Sequence, residues 1–125
     1  MAKAAAPKDP AYLEALALYA QLVATVPGLQ LKGDNNPYTA INGNMSSYLH
    51  PRGEMALRLG PADRDAFLAR YGTRLFEAYG VVQKEYVAVP PAVLKDIAAL
   101  APDFRKSCDY VAALKPKPTT RKKGD

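Results

Sequence analysis

Tryptophan is absent from this chain of 125 residues, and histidine and cysteine occur once each. A lone cysteine, Cys108, excludes an internal disulfide. One histidine and one cysteine at distant positions fall short of the three or four clustered ligands that a metal centre needs. Long apolar runs are also missing. In the N-terminal third the longest is Ala15 to Ala20, bracketed by Glu14 and Gln21, far below the ~20 residues of a membrane span. The chain does not open with a charged, then apolar, then small-residue leader, so the expectation is a cytoplasmic protein that does not enter a membrane. No fixed-period self-similarity suggests a repeat architecture.

What is present is ordinary for a folded domain: 49% hydrophobic and 23% charged residues, at a length near the ~100–200 residues of one domain. The net charge of +5 first suggests a nucleic-acid partner, but its distribution argues otherwise. Residues 1–8 carry Lys3 and Lys8, residues 115–125 carry five basic groups against Asp125, and residues 9–114 hold ten basic and eleven acidic groups. The basicity therefore belongs to the ends. The reading is a flexible N-terminus over 1–8, one domain over 9–114 and a disordered basic tail over 115–125, whose Pro, Thr and like charges cannot bury surface.

Periodicity supplies the elements. Asp9 and Pro10 open a first helix with apolar positions Leu13, Leu16, Ala17, Ala20 and Val23, which Pro27-Gly28 stops. Tyr12, Tyr19, Leu22 and Val26 widen its apolar side, so this helix asks for two neighbours: the sheet, and either another helix or a second subunit. Three strands follow, Tyr38–Ile41, Met45–His50 and Glu54–Leu59, separated by the turn sequences "NGN" and "PRG". Met45, Ser47 and Leu49 alternate with Ser46, Tyr48 and His50, and Met55, Leu57 and Leu59 alternate with Glu54, Ala56 and Arg58. A short helix runs from Pro61 to Gly72 with Phe67, Leu68 and Tyr71 inward; strands near Arg74–Ala78 and Lys84–Val89 turn around Tyr79-Gly80. Helical spacing returns at Val93, breaks at Pro102 and resumes with Asp103 as cap. The fold class is α+β, in the order α-β(3)-α-β(2)-α.

Few residues offer chemistry. His50 is the only imidazole, and Ser46, Ser47 or Cys108 are its only conceivable nucleophilic companions, yet no base, orienter and nucleophile share a spacing. Cys108 lies on the apolar side of its helix, where a thiol packs as a small hydrophobe. Asp63 and Asp65, two apart on a helix, face different ways and act on its dipole. No catalytic residue, cofactor or metal ligand is assigned. Eight tyrosines are a richer inventory. Tyr38, Tyr48 and Tyr86 sit on or beside strands and, with His50 and Arg52, can anchor a peptide or stack a base; the same tyrosines also suit half-buried sheet positions. In the tail, Lys115, Lys117, Arg121, Lys122 and Lys123 can hold phosphates or serve as a solvated end.

The segments "INGNMSSYLHPRGEMALRLG", "FLARYGTRLFEAYGVVQKEYVAVPPAVLKD" and "SCDYVAALKPKP" resemble the N-terminal domain of the TfoX/Sxy family, over roughly residues 30–118. That resemblance implies one antiparallel sheet packed against helices, similar in architecture to type III secretion chaperones and YjbR-like domains. Longer TfoX-like proteins regulate natural competence and carry a helical C-terminal domain, where this chain has its basic tail. The family pattern transfers no catalytic residue. The expectation is a non-enzymatic regulatory or protein-interaction domain with an unidentified protein partner. The alternatives are a nucleic-acid-associated module binding weakly through sheet face and tail, and a small enzyme using His50. The greasy first helix, the open sheet edges and the chaperone-like architecture together suggest a homodimer.

Overall fold

The computed structural model describes residues 10–33, 37–78 and 80–116. The assignments of 1–8 as flexible, of Asp9 as a cap and of all tail cations except Lys115 lie outside these. The order is α1 (Pro10–Ala24), β1 (Tyr38–Ile41), β2 (Asn44–Leu49), β3 (Met55–Arg58), α2 (Pro61–Tyr71), β4 (Leu75–Ala78), β5 (Val81–Val89), α3 (Pro91–Leu94) and α4 (Ile97–Ala112). The strands form one antiparallel sheet in the order β1-β2-β3-β5-β4. This is an α+β fold. No helix among the described residues is long and apolar enough to cross a membrane.

Local chemistry sets the turns. Asn42 and Gly43 both take positive φ, 54° and 83°, between the paired residues Ile41 and Asn44, which is the backbone a two-residue hairpin needs to match strand twist. Gly72 ends α2 in the left-handed region and donates its N–H to the Leu68 carbonyl.

The main core lies between one sheet face and the helices, built on Tyr12, Tyr19, Leu22, Leu49, Leu57, Phe67, Leu100 and Phe104. The buried face of α1 differs from the expected one. Tyr12, Ala15, Tyr19, Leu22 and Val23 point inward, whereas Leu13 is 49% exposed and Ala17 and Ala20 are exposed. The rotation follows from the Tyr19 hydroxyl, which pairs with Ser47 Oγ of β2 at 2.7 Å. This arc packs against the sheet, α3 and α4, so the second neighbour that α1 required is supplied within the chain.

Strict alternation on β2 also fails. Thr39 pairs with Ser47 and Ala40 with Met45, leaving Ser46 as a bulge residue. Both serine hydroxyls then lie 2.6 Å from Thr39 Oγ1. At the C-terminal end, the expected break at Pro102 falls earlier. Asp96, not Asp103, caps α4 by accepting from the Ala99 amide at 3.2 Å, and Pro102 lies inside the helix. Its missing N–H orphans the carbonyl of exposed Ala98, which water can satisfy, while Leu100, Phe104, Cys108 and Val111 carry one buried face across it. Asp103, 4% exposed, instead pairs with Arg70 of α2 at 3.2 Å.

The opposite sheet face carries a second, smaller core of Ala56, Phe76, Ala78 and Ala88, with Tyr48 and Tyr86 against it. Between Leu75 and Phe76 the pairing partner jumps from Val87 to Gln83, and this irregularity lets the sheet curl. Tyr48 and Phe76 belong to strands that would stand roughly 14 Å apart on a flat sheet, yet their ring centres are 5.3 Å apart.

Leu57 is fully buried at the centre of β3. Leu57→Asp should cost about 3 kcal/mol or more of a stability of about 5–15, lowering the urea midpoint sharply or preventing folding. An unchanged midpoint would contradict the placement of this residue.

Candidate functional site

The curl gathers four of the five partner-binding candidates around Phe76. Tyr48 and Tyr86 pack edge to face, with ring centres 5.8 Å apart. His50 stands 6.0 Å from the Phe76 ring centre, and the Arg52 guanidinium lies 4.9 Å over it. Tyr38, on the outer strand β1, is the cross-strand partner of Tyr48, and its N–H and carbonyl exchange 2.9 Å bonds with Lys32.

The tyrosines are built into the fold. The Tyr48 hydroxyl donates to Gln83 Oε1 at 2.6 Å and the Tyr86 hydroxyl to the Met45 carbonyl at 3.2 Å. Burial raises the Tyr86 phenol above its ordinary pKa, with nearby Arg58 opposing the shift. Both rings are half-buried.

A charged cluster lies beside them, formed by residues that the sequence reading did not join. Glu54, where β3 begins, accepts on Oε1 from Arg52 Nε at 3.0 Å and Nη2 at 2.7 Å, and on Oε2 from Arg74 Nη2 at 2.9 Å. Arg52 Nη2 also donates to the Glu77 carbonyl at 2.6 Å, and Arg74 Nη1 approaches the Leu75 carbonyl at 3.4 Å. A shallow hollow of about 400 Å³, lined by Arg52, Arg74, Glu77, Ala78 and Gly80, opens there. Period two on β4 places Arg74 and Phe76 on one face; that was the available signal for both.

Three further arginines are each paired with a carboxylate. Arg58 pairs with Glu85 at 2.7 Å, Arg64 with Asp65 at 3.1 Å and Arg70 with Asp103 at 3.2 Å. The Lys84 carbonyl accepts from Arg64. Lys115 is tied to the first hairpin through its carbonyl, which accepts from Asn44 Nδ2 at 2.9 Å.

The candidate nucleophiles lie in the core. Ser46 and Ser47 are fully buried against Thr39. Cys108 is 6% exposed, and burial pushes its thiol up. Among the described residues no group of three His, Cys, Asp or Glu is placed to hold a metal ion. The Arg52 amide donates to His50 Nδ1 at 3.1 Å, a bond that requires the neutral ring. Comparison with family models, curated proteins and solved structures returns no match.

Burial and then the Arg52 charge hold His50 below its ordinary 6.5, with Glu54 opposing. The folded state thus resists a proton that the unfolded chain accepts near 6.5. The contribution to stability is full above that pH and is lost as pH falls through the lower folded value. The single imidazole C2–H resonance should titrate with a midpoint below 6.5, and Arg52→Ala should move it upward. A wild-type midpoint above 6.5 would refute this account.

Proposed function

We propose that this chain is a cytoplasmic, non-enzymatic protein-interaction domain of the TfoX N-terminal type, serving a regulatory role. The observation that carries the reading is the β4–β5 hairpin. It stands at the edge of the sheet with Val81 58% and Val82 49% exposed, next to the arginine-lined hollow. Apolar side chains beside an open strand edge and a polar rim are the ingredients of a protein contact. Since α1 finds both neighbours within the chain, the reading takes a different protein as the partner, without requiring a second copy.

A nucleic-acid module is the second reading, favoured by the five basic residues of 115–125. It would work through the sheet face and the tail.

Affinity capture from the native cell, with and without nuclease, separates the two. The first reading expects a protein retained in stoichiometric amount after nuclease and reduced at least fivefold by Val82→Lys. Recovery of nucleic acid alone, lost when residues 115–125 are removed and steeply salt-dependent before removal, would replace it with the second.

A further inference from the structure

We propose that the β4 edge is a guarded docking strand for an extended peptide with carboxylates two residues apart, and that Arg52 and Arg74 are the guard. The proposal rests on the protein-interaction reading and specifies the partner's chemistry.

β4 is hydrogen-bonded to β5 on one side and is the last strand of the sheet on the other. An outer strand offers its outward carbonyls to any passing chain. Here the carbonyls of Leu75 and Glu77 face guanidinium groups, loosely at 3.4 Å and closely at 2.6 Å. An incoming strand must displace these donors before it can pair. A neutral strand would lose the arginine bonds and press against two cations whose desolvation it does not compensate. A second copy presenting the same edge would bring two more.

An acidic strand meets a different balance. Both guanidiniums share the single carboxylate of Glu54, whose two oxygens are already engaged. The side chains of Arg52 and Arg74 remain 43% and 59% exposed, against 19% for Glu54. Arg52 lies over Phe76, whereas Glu77, the next residue on the strand, directs its side chain to the other face. The Phe76 face thus holds two cations to one anion. Arg74, Phe76 and Ala78 share the arginine face at a spacing of ~7 Å along the strand, so carboxylates at the alternate peptide positions across from them face the two guanidiniums. Each can take the fork of a guanidinium. Drawn toward them, the guanidiniums leave the two carbonyls, which then accept the peptide's amides.

The test uses the full chain and three fluorescein-labelled, end-blocked octapeptides of alternating Val and Asp, Val and Asn, or Val and Lys. The Asp peptide should bind at least tenfold more tightly than the Asn peptide and weaken with salt. It should also shift and protect the amides of Leu75 and Glu77 in NMR spectra. Arg52→Gln with Arg74→Gln, both exposed positions, should bring the Asp-to-Asn ratio to within twofold of one while melting stays cooperative. If that variant does not fold, Glu77→Lys, on the opposite face, must leave the wild-type ratio above fivefold. Equal binding of Asp and Asn peptides, amide shifts confined to other strands, or pairing of two copies through β4 in sedimentation would overturn the proposal. If wild-type protein captures a stoichiometric cellular partner and the double variant captures it equally, the guard fails and the interaction reading stands. No protein partner for wild type removes the broader reading itself.

Discussion

A buried hydroxyl must find a hydrogen-bond partner, and four of them meet where α1, β1 and β2 converge. Tyr19 pairs with Ser47, and Thr39 with both Ser46 and Ser47, all fully buried. Ser107 of α4 adds a bond to the Ser46 carbonyl at 3.2 Å. Each unsatisfied member would cost roughly 1–3 kcal/mol, so the set is a strong constraint on geometry. It fixes the rotation of α1, because only one face carries Tyr19. It fixes the β1–β2 register, because both serines can reach Thr39 only if Ser46 bulges. It also seats α4 on the sheet. Burial raises the Tyr19 phenol far above its ordinary pKa, despite the hydrogen bonds that oppose the shift, so the network persists as neutral dipoles and leaves no buried charge to compensate.

The second determinant is the register jump between Leu75 and Phe76. A flat five-stranded sheet would keep Arg52, in the β2–β3 turn, well away from β4. Curling folds β4 back until Phe76 meets Tyr48 and Arg52 reaches the Glu77 carbonyl. The small alanines Ala56, Ala78 and Ala88 leave space for those rings. One irregularity in pairing thus closes a second core and also builds the charged edge. The same packing gives the sheet tyrosines a structural role: the hydroxyls of Tyr48 and Tyr86 hold the curl in place.

The sequence announced features that depend on neighbours along the chain. Asn42-Gly43, Pro61 and Gly72 act through their own backbone, and the elements they delimit fell within a few residues of expectation. Positions decided by distant residues were less legible. The inward face of α1 depends on Ser47, the bulge at Ser46 on Thr39, and the continuity of α4 through Pro102 on its buried stripe. Of the candidate site, His50, Arg52, Tyr48 and Tyr86 were named, but Glu54, Arg74 and Phe76 join them only through the curl. Asp103 has the local look of a helix cap. Its ion pair with Arg70 of α2, 33 residues away, overrides that signal.

The bond from Asn44 to the Lys115 carbonyl has a consequence for the layout of the molecule. Asn44 begins β2, and Arg52 lies in the turn just beyond its other end. Six residues of extended chain measure roughly 20 Å. The backbone at Lys115 therefore lies at one pole of the sheet, while the arginine-lined edge occupies the other. At that separation, roughly two Debye lengths at physiological salt, charge bound at the arginine pair is largely screened from the Asn44 end of the sheet.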